Sequence, residues 1–342
     1  MEVEPVLEYF LHIPESNMEI IDNGKGLKIE KHSIRTPYHV GIVHIYTCEI
    51  NGNLILFDTG PPTKSCREYL KNNIDLPSLK YVFITHCHPD HYGQMKFLEK
   101  ETNARIVVSK YDSFKYEHPF KYLLLFYTFF KQLGFPLITQ IFSNIGLTSF
   151  YLSGKFAKNY LVLEESKELL LNLGLDYVRA PGHSQSDIIY LIGGYAFSGD
   201  VILREIFTAP LLDVDGETFN RRFNNYESYC STITKLKKIE DMTFLPSHRD
   251  YIDSVDKRIV YFTEKLLSRA ESVAPLLKSG KSIYKTAVTV FPNTKILSFI
   301  FFIKISELVF IDDFIKNPNL LANALKENGL YESVAESFEQ FI

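Results

Sequence analysis

The sequence predicts an α/β fold that gathers its chemistry at strand ends. Three observations carry that expectation. Short β-branched and aromatic runs alternate with helical spacing from about residue 27 to residue 251. One run ends in Thr85-His86-Cys87-His88-Pro89-Asp90-His91, three imidazoles and a carboxylate within six residues. Three later runs also end in turns that bear His or Asp.

Leu27-Lys28-Ile29-Glu30-Lys31 alternates in polarity and reads as a strand, and residues 41–50 read as a second. Asn51-Gly52-Asn53 is a hairpin signal leading into Leu54-Ile55-Leu56-Phe57. That hairpin delivers Asp58-Thr59-Gly60 at a strand end, Pro61-Pro62 stops the strand, and residues 64–72 read as helix. Asp58 is either a turn-capping residue or an acceptor that orients a ligating imidazole from behind.

Tyr81-Val82-Phe83-Ile84 has the pattern of a buried strand. Pro89 prevents the strand from continuing, and Tyr92-Gly93-Gln94-Met95 opens a helix to about residue 100. The His-rich stretch therefore sits on a strand-to-helix turn, where several side chains can converge on one point. Neutral imidazole and carboxylate are usual zinc ligands and suit iron and manganese too. One His beside a strand is usually structural. Four ligand-type residues at H-x-H-x-D-H spacing are rarely buried together without a partner.

A strand at Arg105-Ile106-Val107-Val108 follows, and then the pattern changes. Aromatics crowd residues 111–160, among them Phe114, Tyr116, Phe120, Tyr122, Phe135, Phe142, Phe150 and Tyr151. Residues 123–130 are apolar on every side between Lys121 and Lys131. As helix they would extend only about 12 Å, far short of a bilayer. Three readings stay open: a buried helix pair over the core, a cap lining an apolar pocket, or a contact with a membrane surface. As a cap, the insertion offers Phe126, Tyr127 and Phe130 as pocket residues.

The sheet pattern resumes at Leu175-Asp176-Tyr177-Val178-Arg179 and ends in Ala180-Pro181-Gly182-His183-Ser184. Residues 188–192 and Tyr195-Ala196-Phe197 form another hairpin candidate, which ends in Ser198-Gly199-Asp200. After helical sequence around residues 219–239, Met242-Thr243-Phe244-Leu245 leads to Pro246-Ser247-His248-Arg249-Asp250. Together the strand ends supply seven ligands, a coherent set for two metals. From about residue 253 the chain reads as helical, with apolar spacing at 257–277, a stop at Gly280, a break at Pro292-Asn293, and short helices near 320–325 and 334–342. That region is a helical extension packing on the sheets, a wall for substrate, or a dimer contact.

Composition narrows the function classes. Hydrophobic content of 46% with 23% charged residues fits a globular chain rather than a disordered one. A net charge of −4 gives no reason to expect general nucleic-acid affinity. The four cysteines form no C-x-x-C pair, and no basic segment precedes an apolar core near Met1, so a reducing, cytoplasmic setting is expected. The longest apolar stretch, 296–311, is broken by Lys304 and Glu307 and reads as buried helix rather than a membrane span.

The set Asp58, His86-Cys87-His88-Pro89-Asp90-His91, His183, Asp200 and His248 resembles the metallo-β-lactamase superfamily in order, in strand-end setting and in its later gaps of roughly 90, 17 and 48 residues. The resemblance covers about residues 20–251. Gly182-His183-Ser184-Gln185-Ser186-Asp187 and Phe197-Ser198-Gly199-Asp200 are most similar to its glyoxalase II-like and β-lactamase-like branch. The resemblance implies an αββα sandwich with a helical cap insertion (about 111–160) in a catalytic domain of residues 1–251, a helical region at 252–342, and metals at one edge between the sheets. It implies that His86, His88 and His183 hold one divalent metal, that Asp90, His91 and His248 hold another, and that Asp200 bridges them. Zinc is the expected ion, with iron or manganese as alternatives. A hydroxide between the metals would be the nucleophile, available because bound water drops from a pKa of about 15.7 to near 7. Asp90 is the candidate catalytic residue that orients it, Asp58 stands behind the ligands, and Cys87, pointing away, is structural.

The chain departs from the family at three places. Arg249 follows His248 where a small residue or His is usual, and it either faces solvent or binds an anionic part of the substrate. Leu203 stands near where lactonases carry a Tyr. The basic residues that grip glutathione in glyoxalase II have no match. The expected activity is hydrolysis of an ester or thioester with an apolar portion, on a small-molecule substrate, in a monomer or homodimer. The rival expectations are a phosphodiesterase or nuclease, a one-iron persulfide dioxygenase, and a non-catalytic binding module.

Overall fold

A computed structural model describes residues 16–22, 26–38, 40–143, 156–208 and 210–341. Strands β1 (Ser16–Asp22), β2 (Lys28–Arg35), β3 (Ile42–Ile50) and β4 (Asn53–Phe57) form an antiparallel meander. The β3–β4 hairpin closes through Asn51 and Gly52, both at positive φ, as the Asn-Gly signal predicts. Helix α1 (Lys64–Asn73) follows, its first turn capped by the Thr63 hydroxyl, which accepts from the Cys66 amide at 3.1 Å. β5 (Leu79–Phe83) then pairs parallel with β4.

The next helix begins earlier than its sequence pattern indicates. α2 (Pro89–Tyr92) starts at the proline, which a first helical turn tolerates because its missing N–H would have no partner there. α3 (Met95–Glu101) follows after Gly93, where a Cβ would come within 2.6 Å of the Pro61, Pro62 and Pro89 backbones. β6 (Arg105–Val108), α4 (Lys110–Glu117), α5 (Pro119–Gln132), a helical stretch at 137–143 and β7 (Leu161–Val162) complete this half, and β4–β5–β6–β7 run parallel. Phe150 and Tyr151, counted in the aromatic insertion, lie outside the described residues.

A second sheet has the order β11-β10-β9-β8. It is built from α6 (Lys167–Leu173), β8 (Asp176–Arg179), β9 (Ile188–Ile192), β10 (Tyr195–Gly199), α7 (Asn225–Lys237) and β11 (Thr243–Pro246). The helical sequence around 219–239 forms helix only from Asn225, because Asn224 caps it through a bond from the Glu227 amide. Helices α8 (Val255–Lys278), α9 (Ile283–Val290), α10 (Phe299–Lys316), α11 (Pro318–Glu327) and α12 (Ala335–Phe341) close the chain.

Side-chain alternation along the strands fixes the layers. Tyr46, Ile55, Phe57, Phe83 and Val107 point from the seven-stranded sheet toward Tyr190, Tyr195, Phe197 and Leu245 of the second. Phe57 stacks on Phe197 with ring centroids 3.9 Å apart, and Tyr190 donates its hydroxyl to the Ile84 carbonyl at 2.9 Å. The outer face of the first sheet (Val43, Leu56, Val82, Ile106) packs on α1 and α3. The outer face of the second (Ile189, Ala196, Phe244) packs on α5, α7 and the C-terminal helices. The result is an αββα sandwich in which α5 shares one core with α10: Phe126 and Phe130 both stand against Phe302.

Candidate metal centre

The strands β4, β5 and β10 and the turns after β8 and β11 all end at one edge of the sandwich, between the two sheets. At that edge His86, His88, Asp90, His91, His183, Asp200 and His248 converge, although they come from four separate turns of the chain. His86, His88 and His183 place one nitrogen each within 4.8 Å of the others, and Asp90, His91 and His248 do the same with their ligand atoms. His86 Nε2 lies 2.9 Å and His183 Nε2 3.0 Å from His88 Nδ1. Two imidazole nitrogens bonded to one tetrahedral zinc at about 2.0–2.1 Å would stand about 3.4 Å apart, close to these spacings.

Asp200 lies between the two groups. Its Oδ2 is 3.7 Å from both His91 Nε2 and His183 Nε2, and its Oδ1 is 3.6 Å from His248 Nε2. Asp90 reaches the second group with Oδ2 3.4 Å from His248 Nε2 and Oδ1 3.7 Å from His91 Nε2. Gly199, at φ +52°, makes the approach of Asp200 feasible: a Cβ there would come within 2.9 Å of the Thr85 side chain.

Three of the imidazoles are aimed from behind. His91 Nδ1 donates to Asp58 Oδ2 at 2.9 Å. The Thr85 hydroxyl donates to the same carboxylate at 2.8 Å and accepts from His86 Nδ1 at 3.1 Å. His248 Nδ1 donates to the Ile42 carbonyl at 2.6 Å. These bonds leave the Nε2 atoms of His86, His91 and His248 facing the common point, the arrangement by which an outer acceptor sets tautomer and ring orientation. Asp58 is held by the Thr85 amide at 2.8 Å and takes φ +59°. It accepts from His91 while occupying a left-handed turn position, so its contacts suit both roles its sequence left open.

Electrostatics point the same way. Burial, reinforced by the neighbouring imidazoles, holds His86 and His88 well below the usual imidazole range. Burial opposes charge on His91 too, but Asp90, Asp200 and Asp58 outweigh it and push its pKa well up. Burial likewise opposes charge on Asp200, and His248, His91 and His183 overcome it and hold its carboxyl well below the usual range. His91 Nε2, His248 Nε2 and Asp200 Oδ1 are buried, yet make no hydrogen bond to any described residue. Buried polar atoms of this kind normally have partners. A divalent cation on each side of Asp200 would satisfy all three, so the residues present fit a metal pair.

A deeper network ties the turn to the insertion. The Cys87 amide donates to Asp112 Oδ2 at 3.1 Å, and Lys115 Nζ stands 3.4 Å from Asp112 and 2.6 Å from Asp213. The Tyr122 hydroxyl donates to Asp213 at 2.7 Å. Nothing in the local pattern announces these partners. Three buried charges and a tyrosine from separate segments meet only through the fold.

The site opens into a cavity of about 270 Å³. His88, Asp90, His183, Asp200 and His248 form part of its wall. Leu203, Ile206, Phe207, Phe299 and Ile303 supply apolar wall, and Arg249, Arg269, Lys304 and Glu307 supply charge. Arg249 is exposed at the mouth with φ +66°, and its carbonyl accepts from His44 Nε2 at 3.0 Å. Glu307 is buried and pairs with Arg269 at 2.8 Å and Lys304 at 3.1 Å.

The expectation for Phe126, Tyr127 and Phe130 is corrected. None of the three is on the cavity wall. Phe126 and Phe130 are buried in the core shared with α10, and Tyr127 lies on the helix between them. A helix that is apolar all round does not show which face meets which neighbour. The wall comes instead from the segment after β10 (Leu203, Ile206, Phe207), from Arg269 on α8 and from α10. Lys304 and Glu307, one turn apart and the only charges in the stretch 296–311, are the signal that could have found the α10 part of it.

Comparisons with known proteins agree with this geometry. A 62-residue segment is 36% identical to a UPF0173 metal-dependent hydrolase of Thermodesulfovibrio yellowstonii, covering 17% of this chain and 22% of that protein. The chain thus spans about a fifth of that relative's length. The crystal structure of a metallo-beta-lactamase family protein from Thermus thermophilus superposes with a TM-score of 0.66 at 18% identity, over 90% of this chain and 95% of that one. A beta-lactamase domain protein from Burkholderia ambifaria gives a TM-score of 0.62 at 18% identity, over 86% of this chain and 87% of that one. Both show a shared fold that reaches past residue 248 into the C-terminal helices. The profile of the metallo-beta-lactamase superfamily matches residues 39–248. That span begins before Asp58, ends on His248 and takes in more than half of the sequence, and this protein belongs to the metallo-beta-lactamase superfamily.

Proposed function

We propose that this chain is a hydrolase with a pair of divalent metals, most simply zinc, acting on an ester or thioester whose acyl part is apolar. The observation that carries the proposal is the joining of the seven ligand-type side chains to a cavity walled by Leu203, Ile206, Phe207, Phe299 and Ile303. His86, His88 and His183 would hold one ion, Asp90, His91 and His248 the other, and Asp200 would bridge them. When bound, such ions supply an activated water at neutral pH and polarise the scissile carbonyl. The chain's own residues do the rest. Asp58 holds His91, Thr85 holds His86 and the Ile42 carbonyl holds His248 in one tautomer, and the burial of His86 and His91 limits water around them. Asp90, on the cavity wall, is placed to orient the attacking group, and the apolar wall positions the acyl portion. The assignment is of glyoxalase II-like or acyl-thioesterase-like kind.

The test is metal analysis followed by a substrate panel. Acyl thioesters and aryl esters of short to medium chain length are set against a lactone and a bis-aryl phosphodiester. The proposal expects hydrolysis of the acyl substrates, lost on chelation and restored by zinc, with KM falling as the chain lengthens. Preference for the phosphodiester, or acyl hydrolysis indifferent to chelation, would overturn it.

A further inference from the structure

Two segments outside the metal centre are unlike the rest of the chain. Residues 118–143 carry Lys121 and Lys131 and no Asp or Glu, and residues 272–306 carry Lys278, Lys281, Lys285, Lys295 and Lys304 and again no acid. With these seven lysines set aside, the net −4 of the whole becomes −11 for the remainder. The segments lie together in space. The Tyr284 amide donates to the Leu133 carbonyl at 3.0 Å, and a Cβ on Gly134 would come within 2.5 Å of Ser282.

This acid-free region also exposes apolar side chains. Phe120, Leu124, Leu137, Ile138, Ile141, Phe142 and Leu297 are between 46% and 86% exposed. On α5 the exposed Phe120, Leu124, Thr128 and Lys131 recur every three or four residues and so share one helix face, with exposed Lys121 beside Phe120. In the stretch 137–143, Leu137 with Ile141 and Ile138 with Phe142 are pairs four apart on one face. Exposed apolar groups this numerous mark an interaction site, and Lys set among them matches an anionic surface.

The region adjoins the metal-site cavity. A groove of about 70 Å³ runs between Phe130, Phe135 and Ser143 on one side and residues 296–302 on the other. Phe299 lines both this groove and the metal-site cavity.

We propose that α5, the helical stretch 137–143 and the α8–α10 corner form a docking surface for an anionic phospholipid bilayer. The apolar side chains enter the headgroup–acyl boundary and the lysines other than Lys304, which pairs with Glu307 on the cavity wall, meet the phosphates, so that an acyl substrate reaches the metal cavity past Phe299. No helix among the described residues is long and apolar enough to cross a membrane, so the contact is with one leaflet. Only the delivery of substrate rests on the hydrolase proposal; the docking does not.

The experiment is flotation of the full chain with vesicles of phosphatidylcholine alone and of phosphatidylcholine mixed with phosphatidylglycerol, at low and high salt. Binding to the anionic vesicles that weakens with salt is expected. Neutralising Lys281 and Lys285 together (K281Q/K285Q) should lower affinity about 25-fold, at about fivefold per lysine. Ile138→Glu with Phe142→Glu should abolish binding, while circular dichroism and metal-dependent hydrolysis of a water-soluble short-chain ester stay at wild-type levels. No flotation with anionic vesicles, or flotation that both double variants leave unchanged, overturns the proposal. So does a dimer in sedimentation that the Ile138/Phe142 variant dissolves while vesicle binding is absent. Loss of soluble-ester hydrolysis in the wild type would count against the hydrolase assignment and leave the docking result to stand by itself.

Discussion

Residues 58–91 and residues 255–316 face the same cavity, but they build it by different means. The first segment brings His86, His88, Asp90 and His91 to a point through one strand-to-helix turn, backed by Asp58 from the end of the neighbouring strand. Its spacing puts the four side chains on one turn, where Thr85 and Asp58 orient His86 and His91. The second contributes Arg269 from the middle of α8 and Phe299, Ile303, Lys304 and Glu307 from α10. No local pattern aims these at a ligand; they meet the cavity because two long helices pack on the outer face of the second sheet. The difference teaches that four of the seven ligand-type side chains are set by one local turn, while the apolar wall depends on tertiary packing. Changes in the two regions should therefore fail differently.

The largest effect belongs to the first kind. Asp200→Ala removes the carboxylate that stands between the two ligand groups, and it should reduce bound metal and bring hydrolysis to background while leaving circular dichroism and Tm nearly unchanged. Wild-type turnover in that variant would break the comparison at its base.

Next is a stability effect on the sheet that carries the motif. Burial, opposed by Glu30, holds the pKa of His32 at about 4. The unfolded chain takes a proton on this imidazole below about pH 6.5, and the folded chain does so only near 4. The neutral form is therefore favoured by folding above pH 6.5, and stability declines as pH drops through the window from 6.5 to 4. A shift of this size corresponds to about 3 kcal/mol at the acid end. Denaturant melts across that window should fall less steeply for His32→Gln than for wild type; equal slopes would show that His32 is not the group responsible.

Third in size is the support behind the ligands. Asp58→Ala should weaken metal binding about 10- to 100-fold, as loss of an outer-shell acceptor does. Competition with a chelating dye measures it. Affinity within about twofold of wild type would mean that the orientation of His91 does not depend on Asp58.

The smallest effect tests the second region. Phe299→Ala enlarges the cavity wall without touching a ligand, so metal content should not change. The preferred acyl chain should lengthen, with up to about fourfold gained in kcat/KM per added methylene that finds cover. A variant that loses metal or loses all acyl substrates equally would erase the distinction between the two regions.

Much of the site is legible because strand ends are legible. A β-branched or aromatic run followed by a turn residue and a His or Asp predicts where His183, Asp200 and His248 stand, and Asn51-Gly52 places the hairpin that delivers Asp58. Asp58 needed coordinates, since a left-handed turn residue and an acceptor for imidazole have the same sequence signature. Pro89 reads in sequence as a stop to the strand, and it is also the first residue of α2, which the sequence pattern started later. The pocket wall is misplaced at Phe126 and Phe130 because an all-apolar helix carries no marker of which face is covered. Asp112, Lys115 and Asp213 are invisible for the opposite reason: each is an ordinary polar residue until the fold buries all three beside Cys87.

Metal stoichiometry tests the central claim most directly. The protein, purified from zinc-supplemented medium and passed over a desalting column, should carry close to two zinc ions per chain by inductively coupled plasma mass spectrometry. His248→Ala should retain one, and Asp200→Ala should retain fewer than wild type. Trace metal only in a folded wild-type chain, or two ions retained in all three proteins, would contradict the account.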